Sequence, residues 1–385
     1  MKKLAIALAV VAALAVLFFA LAPGIVERQL NAVTPVDVPE PSTEANALHA
    51  SATVIDLHGD TLLWQRSILE ASDRGHVDLP RLQQGNVALQ VLGSVTKSPK
   101  GLNYDSNAGD SDSLVALAIV QRQPLRTWRS PFERSMWHAQ RLDAAAERSE
   151  NLMTVRTVRD LEVLLEARAD GVPLVGGLMA AEGLHNLEGD VDNLQRLFDA
   201  GYRMAGLTHF FDNRLAGSMH GIEKGGLTPF GRNIVTRMES LGMIVDLAHL
   251  SPAAVDEVLD MATRPVVVSH GGVKALCPNN RNLTDAQLRR IAKTDGIIGI
   301  GYWPGAVCGL EPARIAAAIR HVRDLVGIDY VALGSDYDGT VEVAFDTSRL
   351  ALVTQALIDA GFSESEIRQV LGGNALRVFR KTLPP

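Results

Sequence analysis

Eight short apolar segments, each followed by a helical or loop stretch, constrain the fold of this chain more than any other feature. Their hydrophobicity is continuous rather than alternating, which is typical of parallel strands buried on both faces. Strands that alternate with helices predict a parallel α/β architecture, and eight of them favour a closed (β/α)8 barrel of the TIM type over an open sheet. The segments are Val54–Leu57, Val87–Leu92, Leu174–Met179, Met204–Leu207, Met243–Leu247, Pro265–Val268, Gly296–Ile300 and Tyr330–Leu333.

Helical patterns fill several of the intervals between these segments, as in Asp190–Ala200, Gly231–Leu241 and Glu311–Val326. The interval Thr96–Arg148 is too long for an ordinary connection between a strand and a helix. We expect it to form an excursion over one face of the barrel that shapes a pocket there. The barrel itself is expected to be a single domain over residues 52–385.

The N-terminus indicates export. Met1-Lys2-Lys3 precedes residues 4–22, a run without charged or polar side chains that is close to the ~20 residues needed to cross a bilayer as a helix. Residues 1–26 are therefore interpreted as an uncleaved signal anchor that leaves the folded body on the periplasmic or extracellular face. A cleaved signal peptide is the alternative, because residues 20–22 form an A-x-A pattern, although Pro23 would hinder cleavage. Residues 27–51, with three prolines and little periodicity, are expected to form a tether.

Composition limits the partners and the redox chemistry of the chain. The net charge of −7 comes without a polybasic segment, so nucleic acid is not expected as a partner. The two cysteines, Cys277 and Cys308, fit a disulfide in an oxidising compartment, and two free thiols in the core are the alternative.

Side chains suited to metal binding and acid–base chemistry follow the predicted strands at their carboxyl ends. In a barrel of this type these ends meet at one rim, where active sites are built. Four of the ten histidines lie at the predicted rim. In chain order the residues are His58, Asp60, Glu182, His209, His249, His270 and Asp336, and they follow the first, third, fourth, fifth, sixth and eighth strands.

Five of these residues form a donor set for metal ions. His58 and Asp60 are two positions apart, so both point the same way in an extended strand and can bind one ion. Together with Glu182, His249 and His270 they offer nitrogen and oxygen donors suited to zinc, and other divalent transition metals accept the same ligands. Five donors exceed the needs of one tetrahedral ion, whereas a bridging Glu182 would let two ions each keep a position for water. The set therefore predicts a hydrolase in which two ions activate a bridging hydroxide.

Eight sequence blocks, in this order, resemble the membrane dipeptidase (renal dipeptidase) family, whose members are zinc dipeptidases of the metal-dependent hydrolase superfamily. The resemblance extends from about Val54 to Phe379 and covers nearly all of the chain after the leader and tether. Several blocks are individually distinctive, and their joint occurrence leaves little room for coincidence. The blocks are IDLHGDT, AAEGLHNL, LTHF…N, GLTPFGRNIVTRM, GMIVDLAHLS, PVVVSHGG…NNRNLTD, LGSDYDG and GGNALRVF.

The resemblance implies a division of the metal ligands. His58 and Asp60 hold one zinc ion, His249 and His270 hold the other, and Glu182 bridges the two. The implied reaction is hydrolysis of a dipeptide by the hydroxide that the ions share. The family also implies a homodimer.

The resemblance assigns roles to five further side chains. His209 would contact the substrate carbonyl and the tetrahedral intermediate, and Asp336 would exchange a proton with the bridging water and the leaving amine. Arg281 would bind the free C-terminal carboxylate of the substrate, a role that its planar charged fork suits. Cys277 and Cys308 match positions that animal members join, which favours the disulfide over free thiols.

Two alternative functions stay open on the sequence. A related barrel amidohydrolase would use the same metals on N-acyl amino acids, lactones or β-lactams, and Arg281 favours substrates with a free carboxylate, which N-acyl amino acids share. An exported protein that binds peptides without turnover is disfavoured, because every proposed metal and proton-transfer position has a competent residue. Ser335 and Tyr337 flank Asp336 where Gly and Phe are more usual in the family, and this leaves the preferred substrate side chain open.

Overall fold

A computed structural model describes residues 1–385 as a barrel of parallel strands surrounded by helices. The strands are β1 (Val54–Gly59), β2 (Val87–Val95), β3 (Leu152–Thr154), β4 (Val175–Glu182), β5 (Tyr202–Gly206), β6 (Ile244–Asp246), β7 (Val267–Val268), β8 (Ile297–Ile300) and β9 (Val331–Leu333). The helices are α1 (Lys2–Leu30), α2 (Thr43–Ser51), α3 (Leu79–Gln84), α4 (Leu114–Val120), α5 (Pro131–Ala146), α6 (Val158–Ala169), α7 (Asp192–Asp199), α8 (Pro229–Leu241), α9 (Pro252–Met261), α10 (Asp285–Lys293), α11 (Pro304–Val307), α12 (Pro312–Val326), α13 (Ala351–Asp359), α14 (Glu364–Arg368) and α15 (Asn374–Thr382).

Eight of the strands form a closed ring. β1, β2 and β4 to β9 pair in parallel, and the pairings of β2 with β4 and of β1 with β9 complete the circle. Each of the eight overlaps one predicted segment, so the predicted (β/α)8 barrel is confirmed. The strand β3 was not predicted, because its three residues are too short a run to stand out. It pairs with Val175–Gly177 at the start of β4.

Apolar side chains from every barrel strand fill the interior of the ring. Ile55 and Leu57 of β1 lie in one buried cluster with residues from each of the other seven strands. Val378 and Phe379 of α15 belong to the same cluster, so this helix closes one end of the barrel. Because the cluster residues precede the polar rim residues along each strand, α15 closes the amino end and the carboxyl end stays open for a site.

The N-terminal helix α1 has two parts with different surroundings. Its apolar side chains from Leu4 to Leu21 are exposed, and α1 is long and apolar enough to cross a membrane by length and composition. The last turns of α1 instead contact the barrel, where Pro23 and Glu27 are buried.

The segment predicted as a tether, residues 27–51, packs on the barrel in the structure. Val33 forms a parallel bridge with Val343, and the helix α2 follows. His49 is buried, with Nδ1 2.8 Å from the Thr354 hydroxyl. Isolated side chains at irregular spacing make these contacts. They therefore produce no periodic sequence pattern from which the packing could be predicted.

The loop after β7 is fixed at several points. Cys277 in the middle of this loop is joined by a disulfide to Cys308 at the end of α11. Within the loop, the side chains of Asn279 and Asn282 donate to the backbone carbonyls of Gly305 and Ala306 at 2.8 and 3.1 Å. The loop that carries Arg281 is therefore held to α11 by a disulfide and by hydrogen bonds.

Candidate metal centre

The carboxyl ends of the barrel strands bring together every side chain predicted at the rim. Glu182 is the last residue of β4, and His58 lies in β1 with Asp60 directly after the strand. The register of β1 on β2 shifts between Asp56 and Gly59, and a bulge of this kind re-aims side chains. The remaining four follow β5, β6, β7 and β9 within a few residues, and they are His209, His249, His270 and Asp336.

Glu182 lies at the centre of this cluster. Its Oε1 atom is 3.1 Å from Nε2 of His249, 3.3 Å from Nε2 of His270 and 3.5 Å from Nε2 of His58. Its Oε2 atom is 3.4 Å from Nε2 of His209. Imidazoles from four different strands thus face the two oxygens of one carboxylate.

The potential ligand atoms fall into overlapping groups. Nε2 of His58 lies 3.6 Å from Oδ1 of Asp60 and 3.9 Å from Oδ1 of Asp336. The rings of His58 and His270 stack with their centroids 3.9 Å apart. These two histidines, which the family resemblance assigned to different ions, therefore lie side by side. Three sets of ligand atoms lie within 4.8 Å of one another: His58, Glu182 and His270; Glu182, His209 and His249; His58, Asp60 and Asp336.

The donor set fits a divalent metal centre. The buried atoms Nε2 of His58 and Oδ1 of Asp60 have no hydrogen-bond partner in the protein. Unsatisfied buried polar atoms are costly, and a bound cation would supply the missing partner. Nε2 of His249 and Nε2 of His270 are 3.1 Å apart, so their lone pairs converge on the same region as Glu182.

The charges of the cluster produce opposed pKa shifts. Burial by itself lowers the pKa of His58, but the negative charges of Asp60 and Glu182 outweigh it and raise this pKa to about 10. Burial and the charge of Asp60 raise the pKa of Glu182. Burial holds the pKa values of His249 and His270 well below their usual range, and neutral imidazole is the form that binds metals.

Hydrogen bonds fix the tautomers of two histidines. The Ser269 hydroxyl donates to Asp246 at 2.5 Å and therefore accepts from Nδ1 of His270, 2.8 Å away. Nδ1 of His209 donates to the carbonyl oxygen of Lys97 at 3.0 Å, and burial lowers the pKa of His209 to about 4. In both rings Nε2 is left without a proton and faces Glu182.

Two buried aspartates that sequence reasoning did not single out hold the loops of the ligands. Asp246, the last residue of β6, accepts from the Ser269 backbone N–H at 2.9 Å as well as from its hydroxyl. Asp56 in β1 accepts from the backbone N–H of His58 at 3.1 Å. The sequence signal for such an aspartate is a carboxylate inside an otherwise apolar strand, as in VIDL and IVDL. A carboxylate buried in this way needs hydrogen-bond donors, and the following loops supply them.

Arg281 is buried beside the cluster. Its Nη2 donates to the carbonyl oxygen of His270 at 2.9 Å, and its guanidinium carbon lies 5.5 Å from the centre of the Trp303 ring. Its side chain hydrogen-bonds to no carboxylate, and its other close nitrogen contact is Nε2 of His249 at 3.5 Å. A buried cation without an anionic partner favours a ligand that carries a negative charge.

A cavity of about 720 Å³ joins these groups. The predicted excursion forms one of its walls through residues 98–104 and the start of α4. Within this wall the hydroxyl of Tyr104 accepts from Nε1 of Trp303 at 2.8 Å. Six of the charged or imidazole side chains that line the cavity belong to the predicted site, namely Asp60, Glu182, His209, His249, Arg281 and Asp336.

A parallel α/β barrel with buried histidines and carboxylates at the carboxyl ends of its strands defines a metal-dependent barrel hydrolase. The sequence profile of the membrane dipeptidase family, peptidase family M19, matches residues 42–383. The chain therefore belongs to the membrane dipeptidase family, and its class is that of the metallo-dipeptidases.

Individual relatives agree with this assignment. Dipeptidase tcpJ of Claviceps purpurea is 30% identical over 322 residues, which are 80% of this chain and 69% of the relative. Two further curated dipeptidases match over only 51% and 53% of their own lengths. A solved dipeptidase of family M19 superposes with a TM-score of 0.67 at 25% identity, over 87% of this chain and 100% of that one. A metallopeptidase of Rhodobacter sphaeroides, solved with a phosphinate mimic of the dipeptide L-Ala-D-Ala, shares the fold, with a TM-score of 0.69 at 24% identity over 86% of this chain and 99% of its own.

The Gly93→Ala substitution tests whether the space around the first ligands is essential. Gly93 lies in β2, and a Cβ atom there would stand 2.2 Å from Oδ1 of Asp60 and 3.1 Å from Cε1 of His58. We expect metal affinity, measured by competition with a chelator, to fall by roughly tenfold or more, because the ligands must move. Gly225→Ala, where no atom lies within 4 Å of the new Cβ, is the matched control. Unchanged affinity in Gly93→Ala would show that Asp60 and His58 do not bind metal in this geometry.

Metal binding to the metal-free protein is expected to release protons. The negative charges of Asp60 and Glu182 raise the pKa of His58 to about 10, so the cluster holds a proton at pH 7 without a cation, whereas ligands bind metals in their deprotonated forms. Calorimetric titration in two buffers of different ionisation enthalpy measures this release, and apparent affinity should rise with pH. Binding without proton release would contradict the electrostatic description of the cluster.

Proposed function

We propose that this protein hydrolyses dipeptides with two zinc ions and binds the free C-terminal carboxylate of its substrate. The observation that carries this proposal is the position of Glu182, whose two oxygens are faced by imidazoles from four strands. A carboxylate so placed is suited to bridge two ions. Nitrogen and oxygen donors without thiolates favour zinc, while manganese, cobalt or iron would accept the same set.

His58, Asp60, Glu182, His249 and His270 would hold the two ions. When bound, the ions would supply a nucleophile from water at neutral pH and polarise the scissile carbonyl. The contribution of the chain is to present buried imidazoles and carboxylates in fixed positions at the wall of a cavity. Such fixed dipoles and charges stabilise a developing oxyanion without reorganisation.

Arg281 is proposed to bind the carboxylate of the substrate. Its guanidinium is 2% exposed, lines the cavity and hydrogen-bonds only to neutral groups of the protein. A carboxylate that arrives with the substrate would pair with the planar fork through two parallel hydrogen bonds. Because Arg281 touches the metal ligand His270, the captured carboxylate would lie close to the scissile bond, which favours dipeptides over longer chains.

Asp336 is proposed to deliver the proton that the departing amine needs. Burial raises the pKa of Asp336 well above its usual range, so this carboxyl group holds a proton to higher pH than an ordinary aspartate does. It lines the cavity next to His58 and belongs to the same group of potential ligand atoms as Asp60. A glycine at position 339 gives it room, since a Cβ there would stand 2.2 Å from Oδ1 of Asp336.

His209 is proposed to contact the carbonyl oxygen under attack. Its Nε2 atom faces the cavity without a proton, because Nδ1 donates to Lys97. His209 therefore stabilises a negative oxygen only after Nε2 takes up a proton. The attacking water would supply this proton, and the negative charge that develops on the carbonyl oxygen during attack would favour the uptake.

The proposal includes the cellular location of the enzyme. We propose that the exposed apolar part of α1 anchors the barrel outside the cytoplasm, as a signal anchor. Fractionation of cells that produce the full chain tests this directly. Recovery of all activity in the cytosolic fraction would contradict it.

Replacing Arg281 tests carboxylate recognition. We expect Arg281→Ala to lower kcat/KM for dipeptides by roughly 100-fold, chiefly through KM, because a charge-assisted pair is lost. Arg281→Lys, which keeps the charge but not the fork, should fall in between. The wild-type enzyme should cleave dipeptides better than their C-terminal amides or N-acetyl amino acids. Equal turnover of a dipeptide and its amide would remove the proposed role, and preference for N-acetyl amino acids would favour the amidohydrolase alternative.

Replacing Asp336 tests proton delivery. Asp336→Asn keeps the size of the side chain but cannot donate an acidic proton, so kcat should fall by roughly 100-fold or more. Metal content per chain, measured on the same sample, should stay at the wild-type value. Full turnover in this variant would exclude Asp336 as the acid, and a loss of metal would identify it as a ligand instead.

A further inference from the structure

The end of α1 inserts a carboxylate into the folded body. Glu27 is 1% exposed, whereas its neighbour Arg28 on the same helix is exposed and forms an ion pair with Asp73 at the surface. Pro23 is also buried, four residues earlier, so one face of this last turn packs against the barrel. A buried glutamate at the exit of an apolar helix requires partners.

Two arginines supply those partners. Oε1 of Glu27 accepts from Nε of Arg66 at 2.5 Å, and Oε2 accepts from Nε of Arg74 at 2.8 Å. Arg66 is itself buried, and its Nη2 donates to Oδ2 of Asp338. Glu27, Arg66 and Asp338 therefore form a continuous buried ion chain from the end of α1 to the turn after β9.

Asp338 organises that turn. Its Oδ1 accepts from the backbone N–H of His76 at 2.6 Å and its Oδ2 accepts from the Thr61 hydroxyl at 2.8 Å. Its carbonyl oxygen accepts from Nε1 of Trp64 at 2.8 Å. Both oxygens of this fully buried carboxylate and the carbonyl oxygen of the same residue thus hold the chain two residues beyond Asp336.

The turn needs this support because its backbone is strained. Asp336, Asp338 and Thr340 all have left-handed φ angles, of 63°, 63° and 62°. Non-glycine residues adopt this conformation at a cost and keep it only where surrounding contacts impose it. The segment after α1 adds one such contact, since the side-chain oxygen of Asn31 accepts from the N–H of Thr340 at 2.9 Å.

We propose that Glu27 is a positioning residue for the active site, acting through Arg66 and Asp338 to hold the Asp336 turn in its reactive geometry. The exit of the N-terminal helix is then part of the catalytic apparatus. The inference rests on the proposed role of Asp336. It applies with or without cleavage after Ala22, since Glu27 stays in the chain in both cases.

The charges make the dependence specific. Arg66 is shared between the carboxylates of Glu27 and Asp338, so loss of one negative charge leaves it drawn toward the other. Removing one partner of a buried ion pair strongly disturbs what remains. The consequence falls on Asp338 and hence on the orientation of Asp336. The backbone N–H of Asp60 donates to the carbonyl oxygen of Tyr337 in the same turn at 2.8 Å, so metal content is measured together with kcat.

The test uses the full chain with Glu27→Gln, which keeps the shape of the side chain and removes its charge. We expect kcat for a dipeptide to fall by about tenfold, with KM and metal content within twofold of wild type, because the side chains proposed to bind metal and substrate are themselves unchanged. Arg28→Gln, which breaks a surface ion pair on the same turn, is the matched control and should leave kcat unchanged. If Glu27→Gln does not fold, Glu27→Asp, which keeps the charge on a shorter side chain, is measured instead. We expect the same fall in kcat with little change in KM or metal content.

A double-mutant cycle with Asp338→Asn separates positioning from general destabilisation. If Glu27 acts through Asp338, the second substitution adds little to the loss of kcat, whereas independent effects multiply. A folded, metal-loaded Glu27 variant with wild-type kcat would overturn the inference, and so would multiplicative effects with Asp338→Asn. Absence of dipeptide turnover in the wild-type enzyme would instead refute the proposed function.

Discussion

The convergence of four imidazoles on the Glu182 carboxylate is the interaction on which the rest of the structure depends. So many buried donors around one carboxylate, with Asp60 beside them, leave unsatisfied atoms and a local excess of negative charge. Divalent cations would bind the nitrogen and oxygen atoms and balance the charge of the carboxylates at the same time. Protons can neutralise the carboxylates but cannot be shared by so many atoms. We therefore expect the site to be stable only with bound cations, which agrees with the metal dependence of the family.

The barrel makes that convergence possible. Parallel strands deliver their carboxyl ends to one rim, so residues far apart in the chain meet without long loops of their own. Buried aspartates within the strands, Asp56 and Asp246, then fix the backbone from which His58 and His270 project. After β9, the strand that pairs with β1, the strained turn at Asp336 is held by Asp338, Arg66 and the end of α1. The two regions share a support, because Asp56 accepts from the backbone N–H groups of both His58 and Ser335, at 3.1 and 3.0 Å. A change at Asp56 is therefore expected to disturb His58 and the Asp336 turn together.

Much of this fold was predictable, because continuous apolar strands and rim residues leave a strong local signal. The ligand positions His58, Glu182 and His270 each follow an unmistakable strand, and the structure brings them together as expected. The contacts of residues 27–51 were not predictable, since they depend on single side chains such as Glu27 that meet partners elsewhere in the chain. The strand β3 and the register shift in β1 were also not predicted, because both arise from pairing between segments that are distant in the chain.

The most direct test of the central claim is a metal titration of the metal-free protein with parallel assay of a dipeptide. We predict that activity is absent without metal and reaches its maximum at two equivalents of zinc per chain. Elemental analysis of the reactivated protein should then give the same number. Full activity without a transition metal would contradict the account. Activity that saturates with added zinc while no zinc stays bound to the protein after gel filtration would also contradict it.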